Sequence, residues 1–207
     1  MKPWLFDILA CPIDEYYPLQ MYIFSYETEI NDFTSFINIY RDRDLDIINK
    51  DEIIEIYREE KNLFINDGII IEKNPLQTYL ELILLSINEF EHVFDKSLNN
   101  VSESCFNLIK NEIRQKILAF SKDLSLNQIE KIIPELYFIN KIKLNVEIKS
   151  GLLICPHCKR WYPIIDTIPY MLPDEYRNKN LELEFLKTNK NLLNDEFFKQ
   201  DLKPFNI

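Results

Sequence analysis

Residues 151–173 read Gly-Leu-Leu-Ile-Cys-Pro-His-Cys-Lys-Arg-Trp-Tyr-Pro-Ile-Ile-Asp-Thr-Ile-Pro-Tyr-Met-Leu-Pro. Cys155 and Cys158 make a Cys-x-x-Cys knuckle, entered by the apolar run 152–155 and left by a second run, 161–165. A knuckle of this kind sets two thiolates on one side of a tight turn and leaves a tetrahedral ion two ligands to find elsewhere. Another cysteine, Cys11, lies near the far N-terminus. The two ends of the chain are therefore expected to meet in one small sheet.

Downstream of the knuckle, Asp166-Thr167 reads as a turn and 168–172 as a short strand. Pro169 cannot donate to a ladder, so that strand belongs at a sheet edge, with its other side free to meet a partner. Upstream, Ile142, Leu144, Val146 and Ile148 alternate with polar neighbours and predict a strand over 141–149, which Ser150-Gly151 would turn back. At the N-terminus, Trp4, Leu5, Ile8 and Leu9 are spaced for burial on one short helical turn, and residues 19–26 alternate as a strand.

The middle of the chain reads as mostly helical. Residues 27–43 predict a loop with a short helix. Asp44 or Asp46 would cap a helix reaching Glu60, with Ile47, Ile48, Ile53, Ile54, Ile56 and Tyr57 on one stripe. Asn66-Asp67-Gly68 suggests a hairpin turn between 63–65 and 69–71, and Asn74-Pro75 a helix start for an apolar face continuing to about Lys96. A further helix is expected over 102–120. Ser125 with Gln128 makes a capping-box pattern before Ile129 and Ile132, in a helix that Pro134 would bend or shorten. Residues 174–207 carry Leu181, Phe185, Leu186, Leu192, Leu193, Phe197 and Phe198, predicting a tail helix or two laid on the insertion.

Composition excludes several functions. Only two glycines occur in 207 residues, Gly68 and Gly151, whereas a phosphate-cradling loop needs clustered glycines for close amide approach. Neither nucleotide nor S-adenosylmethionine binding is expected of this chain. A net charge of −10 lacks the basic footprint of nucleic-acid binding. No apolar run reaches the roughly 18–20 residues that cross a bilayer, and residues 1–10 do not read as a secretory signal. A cytoplasmic location is expected. The four cysteines, two in a knuckle and two apart, do not form a secreted disulfide framework. No paired carboxylates flank a histidine and no nucleophile motif appears, so the chain reads as non-enzymatic.

Both ends together, Met-Lys-Pro-Trp-Leu-Phe-Asp-Ile-Leu-Ala-Cys-Pro and the 151–173 stretch with its Tyr-Pro-Ile and Ile-Pro-x-Met-Leu-Pro, resemble the small zinc-ribbon activator subunits of S-adenosylmethionine-dependent methyltransferases of archaea and eukaryotes. The resemblance covers residues 1–23 and 147–173. With it, the expected fold class is α+β: a small antiparallel zinc-ribbon-like sheet from 1–26 plus 141–173, a mostly helical insertion over 27–140, and a partly helical tail over 174–207.

The resemblance implies a four-thiolate zinc site with a second cysteine soon after Cys11, where this chain offers Ile13, Asp14 and Glu15. Three readings stand. Asp14 completes a zinc site with Cys11, Cys155 and Cys158, a carboxylate oxygen being an accepted zinc ligand. Alternatively no metal binds, with Cys155 in a disulfide or all thiols free and Cys11 packed as a small hydrophobe. Or Cys105, His92 or His157 reaches in, although a histidine between knuckle cysteines usually points to water.

For function, the resemblance implies a non-catalytic subunit forming a heterodimer with methyltransferases that modify tRNA, rRNA or a translation release factor, with S-adenosylmethionine held only by the partner. By matching positions, the contact falls on Ile168, Pro169, Tyr170, Met171 and Leu172, supported by Trp4, Leu5, Trp161 and Tyr162. The alternative is a nucleic-acid-binding ribbon of the transcription or translation machinery, which the acidic balance disfavours.

Overall fold

A computed structural model describes residues 1–60, 62–122 and 126–206. In chain order the elements are α1 (Pro3–Phe6), β1 (Gln20–Tyr26), α2 (Ile30–Asp42), α3 (Leu45–Lys50), β2 (Glu55–Glu59), β3 (Asn62–Asn66), β4 (Asn74–Pro75), α4 (Leu76–Asn88), β5 (Val93–Asp95), α5 (Asn100–Leu108), α6 (Arg114–Lys122), α7 (Ile133–Asn145), β6 (Ile148–Ile154), β7 (Trp161–Ile165), β8 (Ile168–Pro169), α8 (Lys179–Thr188) and α9 (Asp195–Phe198). They fall into two units: Met1–Glu27 with His92–Asn99 and Glu147–Ile207, and Thr28–Glu91 with Asn100–Val146. No helix among the described residues is long and apolar enough to cross a membrane.

The first unit is built on a sheet in the order β5-β1-β6-β7-β8. The sheet is mixed rather than wholly antiparallel. Val93 pairs opposite Met21 and Asp95 opposite Ile23 in parallel register, whereas β1, β6, β7 and β8 pair antiparallel. A parallel neighbour needs a long crossover, and residues between β1 and β5 supply it, so the expected insertion returns one strand to this sheet. The central strand β6 is buried from Gly151 to Ile154, as its unbroken Leu-Leu-Ile run requires of a strand covered on both faces.

Ser150-Gly151 does not turn the chain back; β6 runs through it. The glycine is there for space, because a Cβ at position 151 would sit 2.7 Å from the backbone oxygen of Tyr22. The expected strand over 141–149 is instead the end of α7 up to Asn145, with β6 starting at Ile148. Asp166 and Thr167 make the tight turn into β8 with φ of 45° and 68°, the left-handed values such a turn demands.

The tail belongs to this unit and packs on its sheet, correcting its placement on the insertion. Phe24, Leu152, Ile154 and Trp161 meet Leu186, Leu193, Phe197 and Leu202 in one buried cluster. The cluster is anchored by Arg177, whose guanidinium is buried over the rings of Trp161, Tyr162 and Phe205, pairs with Glu182, and donates to the Trp161 carbonyl at 2.6 Å. Burying a charge is costly unless it is paired and hydrogen-bonded; here Nε and Nη2 are satisfied, while the buried Nη1 has no hydrogen-bond partner among the described residues.

The second unit combines helices with a three-stranded sheet, β2-β3-β4. Residues 30–42 form a full helix rather than a loop with a short one. Asp44 does cap α3, accepting from the Ile47 amide at 3.1 Å, but that helix stops at Lys50 and β2 follows. The Ile-rich stretch 53–57 fits either period, and pairing of Ile56 with Ile65 across the hairpin decides it for strand. Residues 67–73 also reverse the chain, as expected at Asp67-Gly68, but the strand that returns on β3 is Asn74–Pro75 rather than 69–71. Asp67 closes a buried knot: its carboxylate accepts from the amides of Ile69 and Ile70, from the Tyr79 hydroxyl at 2.6 Å and from Asn140 Nδ2 at 2.7 Å.

Asn74 does not cap α4; its side chain donates to the Glu72 carbonyl while its backbone pairs with Ile65. That helix ends at Asn88, and Phe94 lies in β5. The helix expected over 102–120 is α5 and α6 joined by a π-helical turn, Ile109–Ile113, with Ile109, Ile113 and Ile117 buried. Pro134 opens α7, where its missing N–H has no intrahelical partner to lose. Ser125 lies outside the described residues.

Candidate functional site

Two turns of like build face each other in the first unit. In one, the Cys11 amide donates to the Tyr16 carbonyl at 3.0 Å, the Glu15 amide donates to the Cys11 carbonyl at 2.8 Å, and Glu15 has φ 56°. In the other, the Cys155 amide donates to the Arg160 carbonyl at 2.8 Å, the Lys159 amide donates to the Cys155 carbonyl at 3.0 Å, and Lys159 has φ 61°. The sequences align as Cys-Pro-Ile-Asp-Glu-Tyr and Cys-Pro-His-Cys-Lys-Arg. Asp14 thus stands in the first turn where Cys158 stands in the second.

The ligand atoms of Cys11, Asp14, Cys155 and Cys158 all lie within 4.8 Å of one another. Cys11 Sγ is 3.6 Å from Cys158 Sγ, and Cys155 Sγ is 3.6 Å from both oxygens of Asp14. A tetrahedron drawn with ordinary zinc bond lengths has edges of roughly 3.8 Å between sulfurs and roughly 3.6 Å between sulfur and oxygen. Three sulfurs and one carboxylate oxygen at these separations fit zinc. Cys105 and His92 are not among the atoms brought together, and the four cysteines are unbridged.

Electrostatics around the four ligands follow from burial and hydrogen bonding. Burial pushes the Cys155 thiol up to about 12 and raises that of Cys11, against which a 3.2 Å contact with the Tyr162 hydroxyl acts. The Cys11 thiol and then His157 hold the Asp14 carboxyl well below the usual carboxylate range. A bound cation reverses the thiol preference, because coordination deprotonates sulfur outright. His157 Nδ1 donates to Asp14 Oδ2 at 2.7 Å, a contact that the position of His157 inside the knuckle did not announce.

The second feature is an apolar rim at the end of the sheet. β8 is its last strand. Ile168 is 56% exposed, Tyr170 and Leu172 are also exposed, and Pro169 and Met171 are half-buried. Tyr170 is held in place by its amide, which donates to the Pro163 carbonyl at 2.9 Å. Further along β7, the trailing segment takes the rim: Lys203 bridges to Arg160, and the Trp161 amide donates to the Lys203 carbonyl at 3.2 Å.

At the N-terminus, Met1 and the α1 residues Pro3 and Phe6 are buried rather than the expected Trp4 and Ile8. Trp4 and Ile8 face solvent, Leu5 is half-buried, and a further exposed aromatic, Tyr176, follows the rim. Trp161 and Tyr162, expected to support a partner contact, are wholly buried. The Trp161 indole donates to the Phe205 carbonyl at 2.9 Å, and Tyr162 reaches back to Cys11. Both are core, as their neighbouring tail requires.

In comparison with known proteins, the sequence model of a family described as Trm112p-like protein fits residues 2–166. No curated protein and no solved structure shows a significant match.

Proposed function

We propose a function from one premise: the chain belongs to the Trm112p-like family, which activates methyltransferases. In this reading it is a non-catalytic subunit that forms a heterodimer with S-adenosylmethionine-dependent enzymes modifying tRNA, rRNA or a release factor. The cofactor sits in the partner.

The observation that carries the reading is the run of exposed apolar side chains on the last strand of the sheet and just beyond it, Ile168, Tyr170 and Leu172. Such a surface marks a partner site, and a terminal strand offers pairing in which backbone bonds give affinity and alternate side chains give selectivity. Trp4, Leu5 and Ile8 are the second candidate contact, with Pro169 and Met171 completing the rim. By binding only the folded form of an enzyme that exposes apolar surface alone, the subunit stabilises it through mass action.

Zinc has a structural part in this reading. Held by Cys11, Asp14, Cys155 and Cys158, it ties the turn before β1 to the turn between β6 and β7, and so fixes the sheet that presents the rim. A structural zinc supplies folding free energy rather than reactivity.

The test is co-expression of a methyltransferase with the Tyr170→Asp, Leu172→Asp double variant. Both side chains are exposed, so the subunit itself should fold. Recovery of the soluble pair should fall more than about tenfold, the effect of losing some 1.4 kcal/mol or more of contact. Undiminished recovery would remove the rim from the interface.

A further inference from the structure

We propose that His157 is the positioning residue of the metal centre: it fixes the Asp14 carboxylate so that one defined oxygen faces the three sulfurs. The inference rests on reading Cys11, Asp14, Cys155 and Cys158 as a single zinc site.

The need for such a residue comes from the ligand itself. A cysteine presents one sulfur at a fixed reach, whereas a carboxylate presents two equivalent oxygens on a terminal torsion whose preferences are broad. In this site Cys155 does not choose between them, since its Sγ lies 3.6 Å from Asp14 Oδ1 and 3.6 Å from Oδ2. His157 does choose. Its Nδ1 takes Oδ2 at 2.7 Å, while the Tyr16 amide gives Oδ1 a longer bond, at 3.3 Å. A carboxylate oxygen with lone pairs to spare can keep that bond and still ligate.

The imidazole is itself held. Although its side chain is 68% exposed, its ring stacks on Tyr16 with centroids 5.6 Å apart and planes at 8°. Tyr16 ends the turn that carries Asp14, and His157 sits inside the opposite turn. The pair therefore crosses from one turn to the other next to the ligands, without belonging to them; the ring nitrogens are not among the four clustered ligand atoms. Hydrogen-bond partners that orient a ligating group are commonly worth 10- to 100-fold in metal affinity.

The experiment compares the full-length wild type with His157→Leu and His157→Asn. Each is loaded with cobalt(II), whose visible bands report the ligand set, and with zinc, whose release to a chelator is timed. The wild type should bind one metal per chain without imidazole scattering in zinc X-ray absorption. His157→Leu should release zinc roughly 10- to 100-fold faster, with shifted cobalt bands and an unchanged melting curve for the metal-free protein. His157→Asn, which keeps a donor N–H, should recover part of the loss.

Wild-type spectra and release from His157→Leu would overturn the positioning role while leaving the zinc site standing. So would imidazole scattering in the wild type, which would make His157 a ligand, or a loss of metal matched by an equal loss of metal-free stability. A wild type that takes up no metal would overturn this inference and the zinc reading together.

Discussion

Asp14 and Cys158 occupy the same place in two turns of the same build, each three residues beyond its turn's first cysteine, Cys11 or Cys155. The missing fourth sulfur of the family pattern is thus replaced in space as well as in sequence. An oxygen there would give a bound zinc four donors with one thiolate fewer.

Asp14→Cys is expected to retain zinc against a chelator more tightly than the wild type, and Asp14→Ala at least roughly tenfold less tightly, since each ligand carries a share of the binding free energy. Metal content by elemental analysis, before and after chelator challenge, checks both. Equal retention by all three proteins would show that Asp14 is no ligand.

Arg177 and Glu182 form a buried pair within the tail, and Arg177 ties it to the sheet at the Trp161 carbonyl. Arg177→Leu leaves the Glu182 carboxylate buried and unpaired, at an expected cost of about 3–5 kcal/mol. The double variant Arg177→Leu, Glu182→Leu should regain most of it, because a well-packed apolar pair often replaces a buried ion pair without loss. Denaturant unfolding of the three chains measures the difference. A double variant as unstable as the single one would place the cost in lost stacking on Trp161, Tyr162 and Phe205 instead.

Alkali should unfold the second unit through its buried tyrosines. Burial, opposed by a hydrogen bond from Lys116, pushes Tyr40 up to about 12; burial and then the Asp67 carboxylate raise Tyr79 well above its ordinary value, and burial with the Asp51 carboxylate raises Tyr137. An unfolded tyrosine ionises near 10. Above that pH the folded chain keeps protons the unfolded chain has released, so this contribution to stability is whole below about pH 10 and is lost as pH rises through the folded values. Urea midpoints should be level to about pH 9.5 and then fall, with tyrosinate absorbance rising as helical circular dichroism is lost. Tyr40→Phe should flatten the slope. Titration of these three hydroxyls near pH 10 with the fold intact would contradict their burial.

The parts of the fold that could be read from the chain are those whose signal is local. The knuckle, β7, the Asp166-Thr167 turn and the edge position of Pro169 each follow from residues a few places apart. β5 could not be read, because Val93 and Phe94 continue the apolar face of α4 from Phe90 and only pairing with Met21 to Ile23 makes them strand. Residues 141–145 misled for the opposite reason. α7 is buried at nearly every position from Ile133 to Lys143, so it shows no amphipathic stripe, and Ile142, Leu144 and Val146 mimic alternation. The seat of the tail and the role of His157 are tertiary facts: neither the sheet face that takes Phe197 nor the carboxylate opposite the knuckle is visible in the neighbouring sequence.

The most direct measurement is methyl transfer from labelled S-adenosylmethionine by the chain alone, by a methyltransferase alone, and by the two purified together. The chain alone should transfer nothing, and the enzyme alone should be insoluble or nearly inactive. The pair should elute as one heterodimer and transfer label. A chain that methylates unaided, or a series of methyltransferases whose solubility and turnover it leaves unchanged, would contradict the account.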